Sequence, residues 1–171
     1  MTNYQIDKLL KNLTIYVDTR EKKNAHITRY FEARNINYES LKLEHGDYSA
    51  YLPPCELLPD GLDLRDLISI ERKSGLNELA GNFTKGRERF ERELIRAGNA
   101  RFILMIETSS YQKMVKGSYR SLLPPRSYQA TMNAFRFRYN MEVTYLTEKM
   151  TAGNYIYFSL YDYARHYLKS I

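Results

Sequence analysis

The chain of 171 residues has no tryptophan, one cysteine and three histidines. A lone Cys55 excludes an internal disulfide and any multi-cysteine zinc site, and it fits a reducing compartment, the cytoplasm or, in a bacterial or viral setting, the nucleoid. His26, His45 and His166 have no metal-ligand spacing to one another, so a histidine-built metal centre is not expected. No apolar run approaches a membrane span, and residues 1–13 lack the apolar core of a secretory signal. There is no Gly-x-x-x-x-Gly-Lys loop for an ATP-driven motor, and Ser74-Gly75 lacks the surroundings of a nucleophilic serine. Internal repeats, low-complexity tracts and linkers are also missing. One domain over residues 1–171 is therefore expected, long enough to bury a substantial core.

What is present leans towards a polyanionic partner. Lys and Arg outnumber Asp and Glu by 26 to 20, a formal charge of +6. The 16 tyrosines suit stacking on bases, core packing or a subunit interface.

Periodicity predicts strands at 14–17, 35–43, 46–52, 67–73, 101–106 and 142–146. It predicts helices at 24–34, 76–97 with a break near Gly81 or Gly86, 127–140 and 154–169, with a further helical stretch at 109–116. Ala130, Ala134, Phe137 and Met141 are expected on the buried face of the 127–140 helix. Mixed in this order, the elements give an α/β fold, helices packed on a central mixed sheet.

The run Leu67-Ile68-Ser69-Ile70 ends in Glu71-Arg72-Lys73. Alternation places Glu71 and Lys73 on one face and Arg72 on the other. A lone Glu-x-Lys is usually a solvated strand end, since surface ion pairs are common and weak. Two further acids also stand at strand ends, Asp18 after an apolar run and Asp47 after Gly46. Three carboxylates of this kind suit a hard cation such as Mg²⁺, which can activate water against a phosphodiester, with Lys73 stabilising the developing charge. A local hydrogen-bonding role is the default for His45.

These residues carry a resemblance. Val17-Asp18-Thr19-Arg20-Glu21, Gly46-Asp47 and Glu71-Arg72-Lys73, in this order, resemble the motifs of the XPF-type structure-specific endonuclease domain, of the restriction-endonuclease-like superfamily. The likeness continues through Gly86-Arg87 and Glu107 over most of the chain. It implies a restriction-endonuclease-like mixed sheet flanked by helices, and Mg²⁺- or Mn²⁺-dependent cleavage of branched, flapped or forked DNA in recombination or repair. It implies that Asp47 and Glu71 are the main metal ligands, that Asp18 completes the acidic cluster, and that Lys73 positions water or stabilises charge. Arg20, Glu21 and Arg72 would support the catalytic site or contact phosphate. The chain departs from the family at Asn77, where a further acid is expected, and shows no helix-hairpin-helix or helicase module.

Lys85, Arg89, Arg92 and Arg96 recur at helical spacing and, with Arg87, form a candidate DNA-binding stripe; a solvated helix face is the alternative. Arg126, Arg136 and Arg138 make a second basic group. On the last helix Tyr157, Tyr161, Ala164 and Leu168 share a face flanked by Ile156, Leu160, Tyr163 and Tyr167, more apolar surface than one core stripe needs, which points to a homodimer. Two other readings stand beside the nuclease: a non-catalytic DNA-binding scaffold of the same fold, and a protein-interaction module with an incidental basic face.

Overall fold

The most apolar segment of the chain forms a strand with two buried faces. In the computed structural model, which describes residues 1–171, Phe102, Leu104 and Ile106 point to one side of this strand and Ile103 and Met105 to the other. The strands are β1 (Thr14–Asp18), β2 (Asn37–Leu41), β3 (Tyr48–Leu52), β4 (Leu62–Asp63), β5 (Ile68–Lys73), β6 (Arg101–Ile106) and β7 (Glu142–Tyr145). The helices are α1 (Asn3–Leu10), α2 (Ala25–Ala33), α3 (Leu76–Phe83), α4 (Arg87–Ala97), α5 (Tyr111–Val115), α6 (Pro125–Tyr139) and α7 (Ala152–Ser170), with a 3-10 turn at Lys149–Thr151 before α7.

The sheet order is β2-β1-β3-β5-β6-β7, with β4 attached to β3. β1 and β2, β5 and β6, and β6 and β7 run parallel, and each of these pairs is joined through helices, as parallel neighbours require. β3 is antiparallel to both β1 and β5. Helices α1, α2 and α7 cover one face and α3 to α6 the other, each over its own apolar cluster. This is the expected α/β architecture, a mixed sheet flanked by helices. None of the helices is long and apolar enough to cross a membrane.

The expected break in the 76–97 helix falls at residues 84–86, where the Gly86 N–H turns back to the Gly81 carbonyl at 2.9 Å. Three local features differ from the expectation. Helix α1 is one, although Thr2 and Gln5 form a reciprocal capping box ahead of buried Ile6, Leu9 and Leu10. In α6 the buried residues are Tyr128, Met132 and Phe135 instead of Ala130, Ala134 and Phe137. Phe135 packs against Phe83 and Phe90, with centroids 5.7 Å from each, while Phe137 is 81 % exposed. In α7 the stripe that enters the core is Ile156, Leu160, Ala164 and Leu168, spaced four apart, leaving Tyr157 and Tyr161 at its margin.

Candidate active site

The site lies where β1 and β5 end and β3 begins, with α3 and α4 beside them. Ser69, Glu71 and Lys73 alternate with Ile68, Ile70 and Arg72, so Glu71 and Lys73 point towards α3 and α4 and Arg72 points towards α2. The cavity there has a volume of about 670 Å³, and Phe90 is its only apolar wall. Glu21, Asp47, Glu71, Glu78 and Glu93 line it, opposed by Arg20, Lys22, Lys23, Arg72, Lys73, Arg89 and Arg96. Such a polar, two-signed wall suits a charged ligand better than an apolar one.

Glu71 is buried, and its Oε1 accepts a hydrogen bond from Lys73 Nζ at 2.5 Å. Glu78, beside Asn77, stands 3.9 Å from the same ammonium, which also lies 5.5 Å from the centre of the Phe90 ring. Asp47 Oδ2 accepts the backbone N–H of Arg72 at 2.8 Å. One oxygen on each of Asp47 and Glu71 takes no hydrogen bond from the protein. Burial raises the pKa of both carboxyls. The Glu71 charge adds to this at Asp47, while Lys73 partly opposes the rise at Glu71. Burial would lower the pKa of Lys73, but Glu71 overrules it and the net direction is upward, so the lysine keeps its proton.

Asp18 does not join this pair. Its Oδ1 accepts from Arg20 N and Nε, both at 2.7 Å, and its Oδ2 from Arg20 Nη2 at 2.9 Å and Leu43 N at 2.7 Å. Burial alone would raise its pKa, yet these bonds hold it below the ordinary carboxylate range. The expected three-acid cluster is therefore corrected to a pair. Asp18 spends its oxygens on fixing Arg20 and the start of the turn that carries Asp47. One oxygen on each of Asp47 and Glu71 remains available, which fits Mg²⁺ or Mn²⁺, whose other ligands are commonly water or phosphate. No group of three acidic, histidine or cysteine side chains converges here.

Arg72 and Glu21, at the rim of the cavity, also belong to a second network that extends towards α2. Arg72 grips Glu107 through Nε–Oε1 at 2.9 Å and Nη2–Oε2 at 2.7 Å, and reaches Glu21 at 3.3 Å. His26 Nε2 lies 2.6 Å from Glu107 Oε1. Burial would raise the pKa of Glu107, but Arg72 and His26 reverse that. Arg72 is thus a buried clamp between strand ends, with its guanidinium turned away from Glu71.

The basic stripe divides. Arg89 and Arg96 line the cavity, whereas Arg92 is exposed beside Glu88 at 3.7 Å. Arg87 lies over the Phe135 ring at 5.3 Å, and Lys85 precedes the helix; neither lines the cavity. In the second basic group Arg138 is paired with Glu91 at 2.6 Å. Asn77 also lies outside the cavity, and its Oδ1 accepts the Arg120 N–H at 2.7 Å, a bond an aspartate would make equally well. His45 bonds locally, Nδ1 to Ser69 Oγ at 2.9 Å.

Glu107 enters the sequence motifs only as part of the resemblance, at the end of an apolar strand just as Glu71 is, and Glu93 and Asn82 do not enter them at all. Glu93 sits between Arg89 and Arg96 at helical spacing and was hidden by attention to the bases. Asn82 is buried in the cavity wall with no partner for Oδ1, and nothing in its sequence neighbourhood marks it.

Comparison with known proteins agrees with this architecture. The ERCC4 domain family model matches residues 17–159. XPF from Aeropyrum pernix superposes with a TM-score of 0.64 at 22 % identity, covering 88 % of this chain and 61 % of that one. XPF from Aeropyrum pernix in complex with DNA gives 0.62 at 21 % identity, covering 92 % and 66 %. The chain spans less than two thirds of those proteins, and at these identities the likeness concerns the fold. No curated protein matches the sequence. The match over residues 17–159 shows that this chain belongs to the ERCC4 domain family.

Proposed function

We propose that this chain is a divalent-metal-dependent endonuclease that hydrolyses phosphodiester bonds in branched, flapped or forked DNA, in recombination or repair. The observation that carries the reading is the buried Asp47–Glu71 pair, with one free oxygen on each carboxylate and Lys73 2.5 Å from Glu71, in a cavity whose wall offers seven arginines and lysines, Lys73 among them.

Asp47 and Glu71 would hold a Mg²⁺ or Mn²⁺ ion, which when bound supplies Lewis-acid polarisation of the phosphate and a more acidic water. Lys73 is held protonated, so its part is to orient and neutralise: an ammonium beside the scissile phosphate stabilises the charge that grows on its oxygens. Arg89 and Arg96 supply phosphate contacts along one wall, and Arg20, Lys22 and Lys23 along another. Such contacts give affinity without sequence preference, as cleavage directed by DNA shape requires. Asp18 acts through Arg20 and Leu43 as a positioning residue. The intact Asp47, Glu71 and Lys73 favour a nuclease over a non-catalytic scaffold.

A homodimer fits the outer face of α7. Tyr157, Phe158 and Tyr161 form an aromatic cluster there, and Phe158 is 46 % exposed within the molecule's longest helix. Sedimentation at micromolar concentration should show a dimer, and only monomer would exclude it.

The direct test of the activity uses duplex, flap, fork and four-way DNA, each with Mg²⁺, Mn²⁺ or chelator. Cation-dependent incision of branched substrates is expected. Salt-sensitive binding without incision would instead identify a scaffold, and no DNA binding an interaction module.

A further inference from the structure

The turn that carries Asp47 is fastened from both sides. On the sheet side, His45 Nδ1 meets Ser69 Oγ at 2.9 Å and the Asp47 N–H donates to the Ile70 carbonyl at 2.9 Å. On the helix side, Gly46 N–H donates to Glu93 Oε1 at 3.0 Å, and Arg96 Nε donates to the Glu44 carbonyl at 2.8 Å. Gly46 itself has φ +67°, and a Cβ there would lie 2.8 Å from Ser69 Cβ, so the turn passes hard against β5 with a backbone that favours glycine. Residues 89, 93 and 96 share one face of α4, and all three line the cavity.

We propose that Glu93 is a positioning residue for the divalent-cation site. From α4 it holds the Gly46 N–H and so sets the place of the Asp47 carboxylate, with Arg96 as a second tie on Glu44. This inference rests on the reading of Asp47 as a cation ligand. It assigns Glu93 no contact with the ion. Its role is that of a group behind a ligand, whose loss typically lowers metal affinity by about 10–100-fold. The geometry also has a consequence for binding. The face that offers Arg89 to the cavity is the face that holds the Asp47 turn, so the same helix meets both the phosphates and the cation site.

The test is Mn²⁺ binding to the full chain without DNA, by calorimetry or electron paramagnetic resonance, for the wild type, Glu93→Ala, Glu93→Gln and Asp47→Ala. Glu93→Ala should weaken Mn²⁺ binding by roughly 10-fold or more. Glu93→Gln keeps an oxygen acceptor for the Gly46 N–H and should stay within roughly threefold of wild type, a rescue that a role based on charge would not give. Metal-free binding of forked DNA should be unchanged or tighter in Glu93→Ala, because a negative charge leaves a basic wall. Wild-type Mn²⁺ affinity in Glu93→Ala, beside a loss in Asp47→Ala, overturns the positioning role and leaves the site reading intact. Equal losses in Glu93→Ala and Glu93→Gln also overturn it. Wild-type affinity in Asp47→Ala brings down both readings.

Discussion

Asp47 and Glu71 stand close together in a place where their charged forms are disfavoured by burial and, at Asp47, by each other. Their pKa values lie above those of the unfolded chain, so the folded state prefers them protonated. Their contribution to stability is therefore present at acidic pH and is lost as pH rises from the ordinary carboxylate range through the raised values. Asp47→Asn should melt higher than wild type at pH 7, by about 2–4 °C for each kcal/mol of repulsion relieved, and the advantage should vanish at pH 4. Cation binding has the opposite sign, because only ionised carboxylates serve as ligands. Incision by the wild type should decline as pH falls towards the raised carboxyl values, read from its pH–rate profile.

Glu107 makes a different prediction. It is buried and takes both arms of Arg72 as well as His26. Glu107→Ala leaves a buried guanidinium without its main partner and should cost about 3–5 kcal/mol, read by urea denaturation. Residues of this kind explain what the sequence did and did not reveal. Glu71 and Lys73 on one face and Arg72 on the other follow from alternation alone. The Asp18–Arg20 pair is local, but the Glu107 partner of Arg72 and the Leu43 N–H on Asp18 come from chain crossings 35 and 25 residues away, which no local pattern encodes.

Among the elements, the strands other than the two-residue β4 were legible because β5 and β6 are apolar on both faces and end in charge, and because turn residues bracket β3. The interiors of the helices were harder. The α6 face was misassigned because its apolar residues occur all round, and the ring cluster of Phe83, Phe90 and Phe135 decides which are buried. Helix α4 was seen as a basic stripe, but in the fold its faces differ. Arg89→Ala and Arg96→Ala should each weaken DNA binding and lower the salt slope by about 1, whereas Arg92→Ala, on the outer face, should change neither. Filter binding across a salt series checks this. Asn77 belongs to this scale as well, since it ties the start of α3 to the Arg120 segment. Asn77→Asp should cleave like wild type, and Asn77→Ala should lose about 1 kcal/mol of stability by thermal melting.

Across the whole molecule, the sheet separates two tasks. On the α2 side the Arg72–Glu107–His26 network binds the strand ends together, and on the α3–α4 side Asp47, Glu71 and Lys73 face the cavity. β5 serves both, because adjacent residues of one strand point in opposite directions. The central claim is that the Asp47–Glu71 pair makes this molecule a cation-dependent nuclease. The most direct measurement compares wild type with Asp47→Ala on fork and flap DNA in Mn²⁺. The account predicts incision by the wild type only with the cation, and none by a variant that still folds and still binds the fork. Cleavage by Asp47→Ala at the wild-type rate would contradict it.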